Sequence, residues 1–176
     1  MLTSKTRLNS QKENSLNMVY ITWEDCKEAF EQDGSLRDIY VLDTALDDWQ
    51  KFIDFIIQSN YKFSFFVGNK LSPFPSEAGY IFEQKESLLL SISINGMIIN
   101  CHFFGMERIE MDLNPNEVIN EEKFNDLMSF ISRLGHILFK KIKITPENLP
   151  NKPLFIFMPE NNEVKYISFT QNHEVL

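Results

Sequence analysis

The chain has 176 residues, of which 43% are hydrophobic and 16 are phenylalanine, so it is long and apolar enough to fold around a substantial core. Its net charge of −8 argues against nucleic acid and anionic membranes as partners, because both bind basic surfaces. The sequence shows no apolar run long enough for a membrane-spanning helix and no apolar stretch typical of a secretory signal. We therefore expect a cytoplasmic protein.

A polar stretch precedes the predicted folded region. Residues 1–17 contain many charged and amide side chains, which predicts a flexible N-terminal tail ahead of a single α+β domain over residues 18–176. Met18 begins the first apolar stretch and is a candidate internal start of translation. Cys26 and Cys101 stand among apolar neighbours, so we expect buried, reduced thiols rather than a disulfide.

Two helices and one strand are predicted ahead of residue 60. Thr22 begins the first helix, because a hydroxyl followed three positions later by a carboxylate is a form of capping box, and Gly34 ends it. Residues 36–42 mix apolar and polar side chains in the manner of a strand. Thr44 repeats the capping pattern before residues 45–59, where apolar side chains recur at helical spacing.

The clearest local pattern is a β-hairpin with Asn95-Gly96 at its turn, the favoured pair for a type I′ turn. A two-residue turn fixes the register, and a slip by one residue would bury serines in the core. The predicted core face pairs Ile94 with Met97, Ile92 with Ile99, and Leu90 with Cys101. The opposite face pairs Ser93 with Ile98, Ser91 with Asn100, and Leu89 with His102.

The rest of the chain adds further strands and one long helix. Strands are predicted over residues 61–67, 78–84, 107–113, 141–144, 154–158 and 164–169, with a loop over 68–76 and a helix over 120–140. The clean alternation of polar and apolar residues in 107–113 is typical of an antiparallel sheet with one wet face. The sequence therefore predicts an α+β fold, a mixed, mostly antiparallel sheet of six to eight strands with two main helices packed on one face.

His102 is the strongest catalytic candidate, because the hairpin register places it on a polar face with Ser91, Ser93 and Asn100. The polar face of residues 88–104 is therefore a candidate ligand site. The competing interpretation is a histidine on a solvated sheet face, since a catalytic histidine needs an orienting group and a pocket.

The sequence contains no CxxC, HExxH, glycine-rich phosphate loop or nucleophile elbow, so we expect no cofactor and no metal site. Asp43 follows a predicted strand, a position where carboxylates often hold Mg²⁺. Asp47 and Asp48 fall in the first turn of the next predicted helix, where the helix dipole favours acids without any metal.

The most acidic part of the chain is residues 22–50, with nine acids and two bases. Carboxylates with aromatic side chains among them predict a docking surface for a basic protein, since charge complementarity speeds association and selects partners. The predicted partner-binding residues are Glu24, Asp25, Glu28, Asp38, Tyr40, Asp43, Asp47 and Asp48. The alternative is that these acids lie on the solvated faces of two amphipathic helices.

Within that segment, residues 34–56 (GSLRDIYVLDTALDDWQKFIDFI) resemble small immunity proteins of bacterial polymorphic-toxin and contact-dependent inhibition systems. The resemblance rests on residues 37–41 (RDIYV) and on the pair Asp48-Trp49. It implies a cytoplasmic, non-catalytic protein that binds a cognate toxin, often a basic nuclease, and covers its active site. Carboxylates suit that role because they mimic the phosphates that such a toxin attracts.

Three functional hypotheses remain open from the sequence. The first is an immunity protein that neutralises a cognate toxin through its acidic residues. The second is a small ligand-binding or enzymatic domain that uses the polar face of residues 88–104. The third is a structural or regulatory module that dimerises through a sheet edge, so the expected state is a monomer or a weak dimer.

Overall fold

The structure, a computed structural model, describes residues 21–168. The predicted tail over residues 1–17 and the candidate start Met18 lie outside them. The strands are β1 (Arg37–Leu42), β2 (Lys62–Val67), β3 (Lys70–Ser72), β4 (Leu88–Ile94), β5 (Met97–His102), β6 (Arg108–Leu113), β7 (Ile142–Pro146), β8 (Phe155–Met158) and β9 (Glu163–Tyr166). The helices are α1 (Trp23–Cys26), continued by a 3-10 helix (Lys27–Phe30), α2 (Leu46–Gln58), α3 (Ala78–Phe82), a 3-10 turn (Pro115–Glu117) and α4 (Glu121–Leu138).

The nine strands form one sheet in the order β3-β2-β4-β5-β6-β1-β7-β8-β9. Every strand pairing in the described part of the chain is antiparallel. The predicted α+β class is confirmed, with a strand count one above the upper end of the expected range. One strand that the sequence did not predict is β3, which lies inside the predicted loop over residues 68–76 and pairs with β2.

The predicted strand over residues 78–84 is wrong, because α3 occupies this segment. Ala78 and Ile81 lie one helical turn apart, and both are buried. Gln50 of α2 accepts a hydrogen bond from the Ala78 N–H at the start of α3, at 2.9 Å. Packing against α2 therefore decides the local structure here, and the neighbouring sheet does not.

The hairpin between β4 and β5 is confirmed in its predicted register. Asn95 and Gly96 both adopt positive φ, at 46° and 76°, as a type I′ turn requires. The core-side pairs are Ile94–Met97, Ile92–Ile99 and Leu90–Cys101, and the opposite pairs are Ser93–Ile98, Ser91–Asn100 and Leu89–His102. The core-side residues are buried, while the residues of the opposite face stay partly or fully exposed.

The helices α2 and α4 pack together over one face of the sheet, and the other face is called the open face below. The rings of Phe55 in α2 and Phe130 in α4 lie 5.9 Å apart between centroids. In α4, Gly135 approaches β8 so closely that a Cβ atom there would overlap the ring of Phe157. The core also holds both cysteines as free thiols, and burial raises the pKa of Cys26 to about 12.

Two elements, β1 and α4, connect opposite ends of the molecule. β1 pairs antiparallel with β6, so Arg37 lies opposite Leu113 and Leu42 lies opposite Arg108. The start of α4 follows β6 and therefore lies near the beginning of β1. With 18 residues, α4 spans about 27 Å and brings the chain back to the other end of β1.

Candidate functional site

The eight predicted partner-binding residues fall in three places. One group lies in α1 and the 3-10 helix after it, one lies on β1, and one lies beyond the end of β1. In that order, the groups are Glu24, Asp25 and Glu28; Asp38 and Tyr40; and Asp43, Asp47 and Asp48. The acids of residues 22–50 do not form one surface, because the six residues of β1 place about 20 Å between the outer groups.

The first group belongs to a larger concentration of acids, where α1 meets the start of α4. The Trp23 N–H donates to the carboxylate of Glu121 at 2.8 Å, and the Asn95 amide in the hairpin turn donates to Asp126 at 2.7 Å. Two stretches that are distant in sequence therefore meet here, and we call this surface the acidic end. Its nine carboxylates are Glu24, Asp25, Glu28, Glu31, Asp33, Glu117, Glu121, Glu122 and Asp126.

The acidic end remains negatively charged because it contains few bases. Within the two stretches the basic side chains are Lys27 and Lys123, and the buried Arg37 adds a third positive charge. The side-chain and backbone hydrogen bonds that cap α1 lower the pKa of Asp25, and a hydrogen bond from Arg37 is the main cause of the lowered pKa of Asp33. Both carboxyls are therefore ionised at neutral pH.

Arg37 holds the acidic end together from inside the fold. Its side chain is 1% exposed and lies on the core face of β1, in phase with Ile39. Its guanidinium donates to the carbonyl oxygens of Ala29 (2.7 Å), Glu31 (3.1 Å) and Leu36 (3.1 Å), to Asp33 (3.2 Å) and to the Ser35 hydroxyl (3.1 Å). The sequence pattern grouped Arg37 with the polar positions of the strand, so this buried role was missed.

A hydrogen-bond chain crosses the open face from Ser91 to His102. The Ser91 hydroxyl donates to Asn100 Oδ1 at 2.8 Å, and Asn100 Nδ2 donates to Asp112 Oδ1 at 3.3 Å. The other oxygen of Asp112 lies 2.5 Å from His102 Nε2, and this hydrogen bond raises the pKa of His102 above 6.5. Three of the four predicted ligand-face residues are thus joined, while Ser93 lies one pair away and takes no part.

Asp38 and Tyr40 lie beside this chain on the open face. Asp38 stands opposite Asp112 and Tyr40 opposite Glu110 in the pairing of β1 with β6. The Asp38 carboxylate accepts hydrogen bonds from the Tyr40 hydroxyl at 2.8 Å and from the Asn148 N–H at 2.7 Å. Burial, followed by the bond to Asp38, raises the pKa of Tyr40. Residues from both predicted sets therefore meet on this side of the sheet, but Asp38 (6% exposed) and Tyr40 (4% exposed) are buried and do not present their side chains to a partner.

His102 lines neither of two clefts that open on the described part of the molecule. The first has a volume of about 570 Å³ and lies between β3 and α3, where its lining includes Phe65, Phe74 and Tyr80. The second has a volume of about 480 Å³ and lies at the hairpin turn, where its lining includes Tyr61, Ser93 and Asp126. The His102 ring instead stacks on the ring of Phe104, with 5.1 Å between centroids.

The third group of predicted residues lies where α4 ends, and Asp48 has a structural role there. Its Oδ2 accepts a hydrogen bond from the Ala45 N–H at 2.9 Å and lies 3.5 Å from Lys140 Nζ. Lys140 also donates to the main-chain oxygen of Asp43 at 2.7 Å. Thr44, predicted to cap α2, instead donates its hydroxyl to a carbonyl of the β5–β6 loop at 2.6 Å. The carboxylate of Asp48 therefore caps the N-terminus of its own helix.

The helices within residues 21–168 do not include one that is long and apolar enough to cross a membrane. In the same described part, no group of three or more His, Cys, Asp or Glu side chains is arranged to hold a metal ion. No protein-family model, no curated protein and no solved structure matches the chain.

Proposed function

We propose that this protein is a non-catalytic binding module for a cationic protein and that the acidic end is its docking surface. The observation that supports this is the meeting of two separate acidic stretches, which gathers nine carboxylates against three basic side chains. Such a concentration creates a negative potential that raises the association rate of a cationic partner by roughly 10- to 1000-fold at low salt.

The acids at this end exceed what helix capping requires. Asp25 caps α1, and Glu121 accepts a hydrogen bond from the main chain of the same helix. Glu31, in contrast, forms no ion pair and accepts no side-chain hydrogen bond among the described residues. It follows the 3-10 helix, and its side chain is exposed. An exposed acid that the fold does not pair is available to a cationic partner.

The resemblance of residues 34–56 to immunity proteins extends the proposal to a specific partner. In this proposal the protein is a cytoplasmic immunity protein that neutralises a basic, nuclease-like bacterial toxin. The carboxylates of the acidic end contact the toxin's phosphate-binding residues and take the place of the phosphate. Several residues that carry the resemblance, including Arg37 and Trp49, are buried and serve the fold. In this proposal the contact is made by the carboxylates of the acidic end, which lie outside residues 34–56.

Co-expression with the protein encoded by the neighbouring gene tests the proposal. The chain should protect cells from that protein and form a complex with it. The double variant Glu31→Lys/Glu122→Lys should slow association by about tenfold or more at low salt, because it reverses two charges of the acidic end. Asp47→Lys/Glu107→Lys makes the same change in net charge at the opposite end and should slow association by less than about threefold.

These outcomes separate the parts of the proposal. Absence of both protection and a complex would refute the immunity function with this partner. Equal slowing by the two double variants would mean that net charge alone matters and that the acidic end is not the docking surface. A complex whose affinity does not fall with added salt would contradict the electrostatic basis.

The hydrogen-bond chain on the open face favours a second candidate, a small ligand-binding or enzymatic domain. Asp112 orients His102 as a general base is oriented in many active sites. The same co-expression assay distinguishes the two candidates. His102→Ala should leave protection intact if the acidic end binds the partner. If a folded His102→Ala variant failed to protect, the functional site would lie on the open face.

A further inference from the structure

The end of the molecule opposite the acidic end exposes large apolar side chains. Three segments meet there, because the Thr44 N–H donates to the Glu107 carbonyl at 3.0 Å and Lys140 Nζ donates to the Asp43 carbonyl at 2.7 Å. We call this surface the neutral end, and it consists of residues 43–51, 104–108 and 137–141. Its exposed apolar residues are Leu46 (42%), Phe104 (68%), Met106 (46%), Ile137 (43%) and Phe139 (69%).

Phe139 gives the strongest indication that the neutral end serves contact with another molecule. It ends α4 in the left-handed conformation, with φ at 51°, and its N–H bonds to the carbonyls of Gly135 and His136. Glycine is the usual residue at such a position, because a Cβ atom is disfavoured there. The Phe139 ring is mostly exposed, so it adds little to the core. A large apolar side chain held in a strained position without burial indicates a role outside the fold.

The three segments of the neutral end are balanced in charge. They carry four acids and four bases: Asp43, Asp47, Asp48 and Glu107, with Lys51, Arg108, Lys140 and Lys141. The adjacent tip of the β8–β9 hairpin, which Asn162 joins to His136 of α4 at 2.7 Å, adds Glu160 and Glu163, so this end is weakly acidic as a whole and far less so than the acidic end. Some of these charges are paired within the chain, as Asp48 is with Lys140. Asp43, Asp47 and Glu107 form no ion pair among the described residues. Charges of both signs therefore surround the exposed apolar side chains. A second copy of the same surface can place its acids against these lysines and its lysines against these acids.

We infer that the protein forms a two-fold homodimer through the neutral end. In a two-fold interface the same surface faces itself, so exposed apolar rings meet and acids of one copy can face lysines of the other. The acidic ends then point away from each other, separated by far more than the screening length of about 8 Å at physiological salt. Contact between acidic ends would instead oppose nine carboxylates to nine others.

The charge distribution also favours a second copy of the chain as the molecule that binds the neutral end. A cationic protein is attracted to the acidic end, which carries the uncompensated charge, and gains little electrostatically at a balanced surface. Two copies repel each other in most orientations because each carries a net charge of −8. Repulsion is smallest when the neutral ends meet. This inference does not depend on the proposed cationic partner.

Sedimentation velocity of the full chain, from about 1 µM to about 1 mM, tests the inference. We expect a concentration-dependent shift from monomer to dimer that persists or strengthens when salt is raised, because the contact is apolar. Phe139→Gly should weaken the dimer by about tenfold or more. The thermal midpoint of the monomer, measured in dilute solution where no dimer forms, should be unchanged or higher, since glycine suits the left-handed position. Phe104→Ser should weaken the dimer by a similar factor without altering the backbone.

Leu71→Ser provides the matched control, because Leu71 is 72% exposed on the edge strand β3, outside the neutral end. This variant should dimerise like the unaltered chain. A chain that stays monomeric up to about 1 mM would overturn the inference. So would a dimer that survives both Phe139→Gly and Phe104→Ser, or one that Leu71→Ser abolishes, since association would then use the sheet edge.

Discussion

The acidic end and the neutral end are joined by the same two elements, β1 and α4, yet they differ in their balance of acids and bases. At the neutral end Asp48 binds the start of α2 and lies beside Lys140, and acids and bases are equal in number. At the acidic end the acids outnumber the bases nine to three, and Glu31 has no pairing partner within the described residues. The balance of charge, and not the pairing of any one carboxylate, therefore separates the two ends, because Asp43, Asp47 and Glu107 at the neutral end form no ion pair either.

The helix α4 helps to maintain this difference in charge. Its N-terminus lies at the acidic end, where the positive end of the helix dipole favours Glu121 and Glu122. Its C-terminus lies at the neutral end, where the negative end of the dipole favours Lys140 and Lys141 just beyond the last turn. The separation of charge along the molecule is therefore compatible with the stability of its longest helix.

Removing the buried cation of the acidic end should have the largest effect. Arg37→Met should lower the free energy of unfolding by about 3–5 kcal/mol, because it leaves buried carbonyls without donors and removes a partner of Asp33. Arg108→Met, at the other end of the β1–β6 pairing, is the control. Arg108 is 44% exposed, although its partner Glu110 is only 17% exposed, so a smaller loss of about 1–2 kcal/mol is expected. Similar losses in urea unfolding would contradict an anchoring role for Arg37.

The close packing of α4 on β8, between the two ends, offers the next test. Gly135→Ala should lower the free energy of unfolding by about 1–3 kcal/mol, because the added methyl group overlaps the buried ring of Phe157. Gly79→Ala in α3 is the matched control, since a Cβ atom there meets nothing within 4 Å. It should be neutral or stabilise by up to about 1 kcal/mol. Thermal unfolding that orders the two variants the other way would refute this account.

Two neighbouring acids at the neutral end sharpen the distinction between structural and available carboxylates. Asp48→Ala should lower the free energy of unfolding by about 1–2 kcal/mol, because it removes the hydrogen bond to Ala45 and the partner of Lys140. Asp47→Ala removes an exposed acid and should cost about 0.5 kcal/mol through the helix dipole. Neither should change affinity for a cationic partner. A loss of affinity in Asp47→Ala alone would extend the docking surface to this end.

Most of the fold could be predicted because local rules decide it. The Asn95-Gly96 turn fixes the register of β4 with β5, and helical spacing identifies α2 and α4. Residues 78–84 could not be assigned in this way, since their helix depends on Gln50 and the packing of α2. The same limit applies to Arg37, whose burial depends on acceptors that the 3-10 helix and the loop after it provide.

The candidate site was harder to predict, because acids that lie close together in the fold can be far apart in the sequence. Residues 24–33 and 117–126 meet only because β6 pairs with β1 and α4 follows β6. Residues 43–48 stand closer to the first stretch in sequence but lie at the opposite end. Asp112 was likewise invisible as a partner of His102 until the pairing of β5 with β6 placed the two strands together.

The smallest effect concerns the open face, which lies between the two ends. The hydrogen bond to Asp112 raises the pKa of His102 above 6.5; burial opposes the shift, and Glu110 and Asp38 add to it. Because the folded-state pKa is the higher one, the stabilisation by protonated His102 is complete below about pH 6.5 and is lost as pH rises through the folded-state value. We expect His102→Gln to lower the free energy of unfolding by less than about 1 kcal/mol near pH 6, with the difference from the unaltered chain vanishing at higher pH.

Titration of the His102 ring by NMR decides whether Asp112 is the cause. Asp112→Asn should lower the pKa of His102, because the neutral amide removes both the charge-assisted hydrogen bond and the nearby negative charge. Glu110→Gln removes a more weakly coupled charge on the same face and should lower that pKa by less. If the two variants shifted the titration equally, the general negative charge of the open face would set the pKa of His102. In that case the hydrogen bond between Asp112 and His102 would have no specific effect on that pKa.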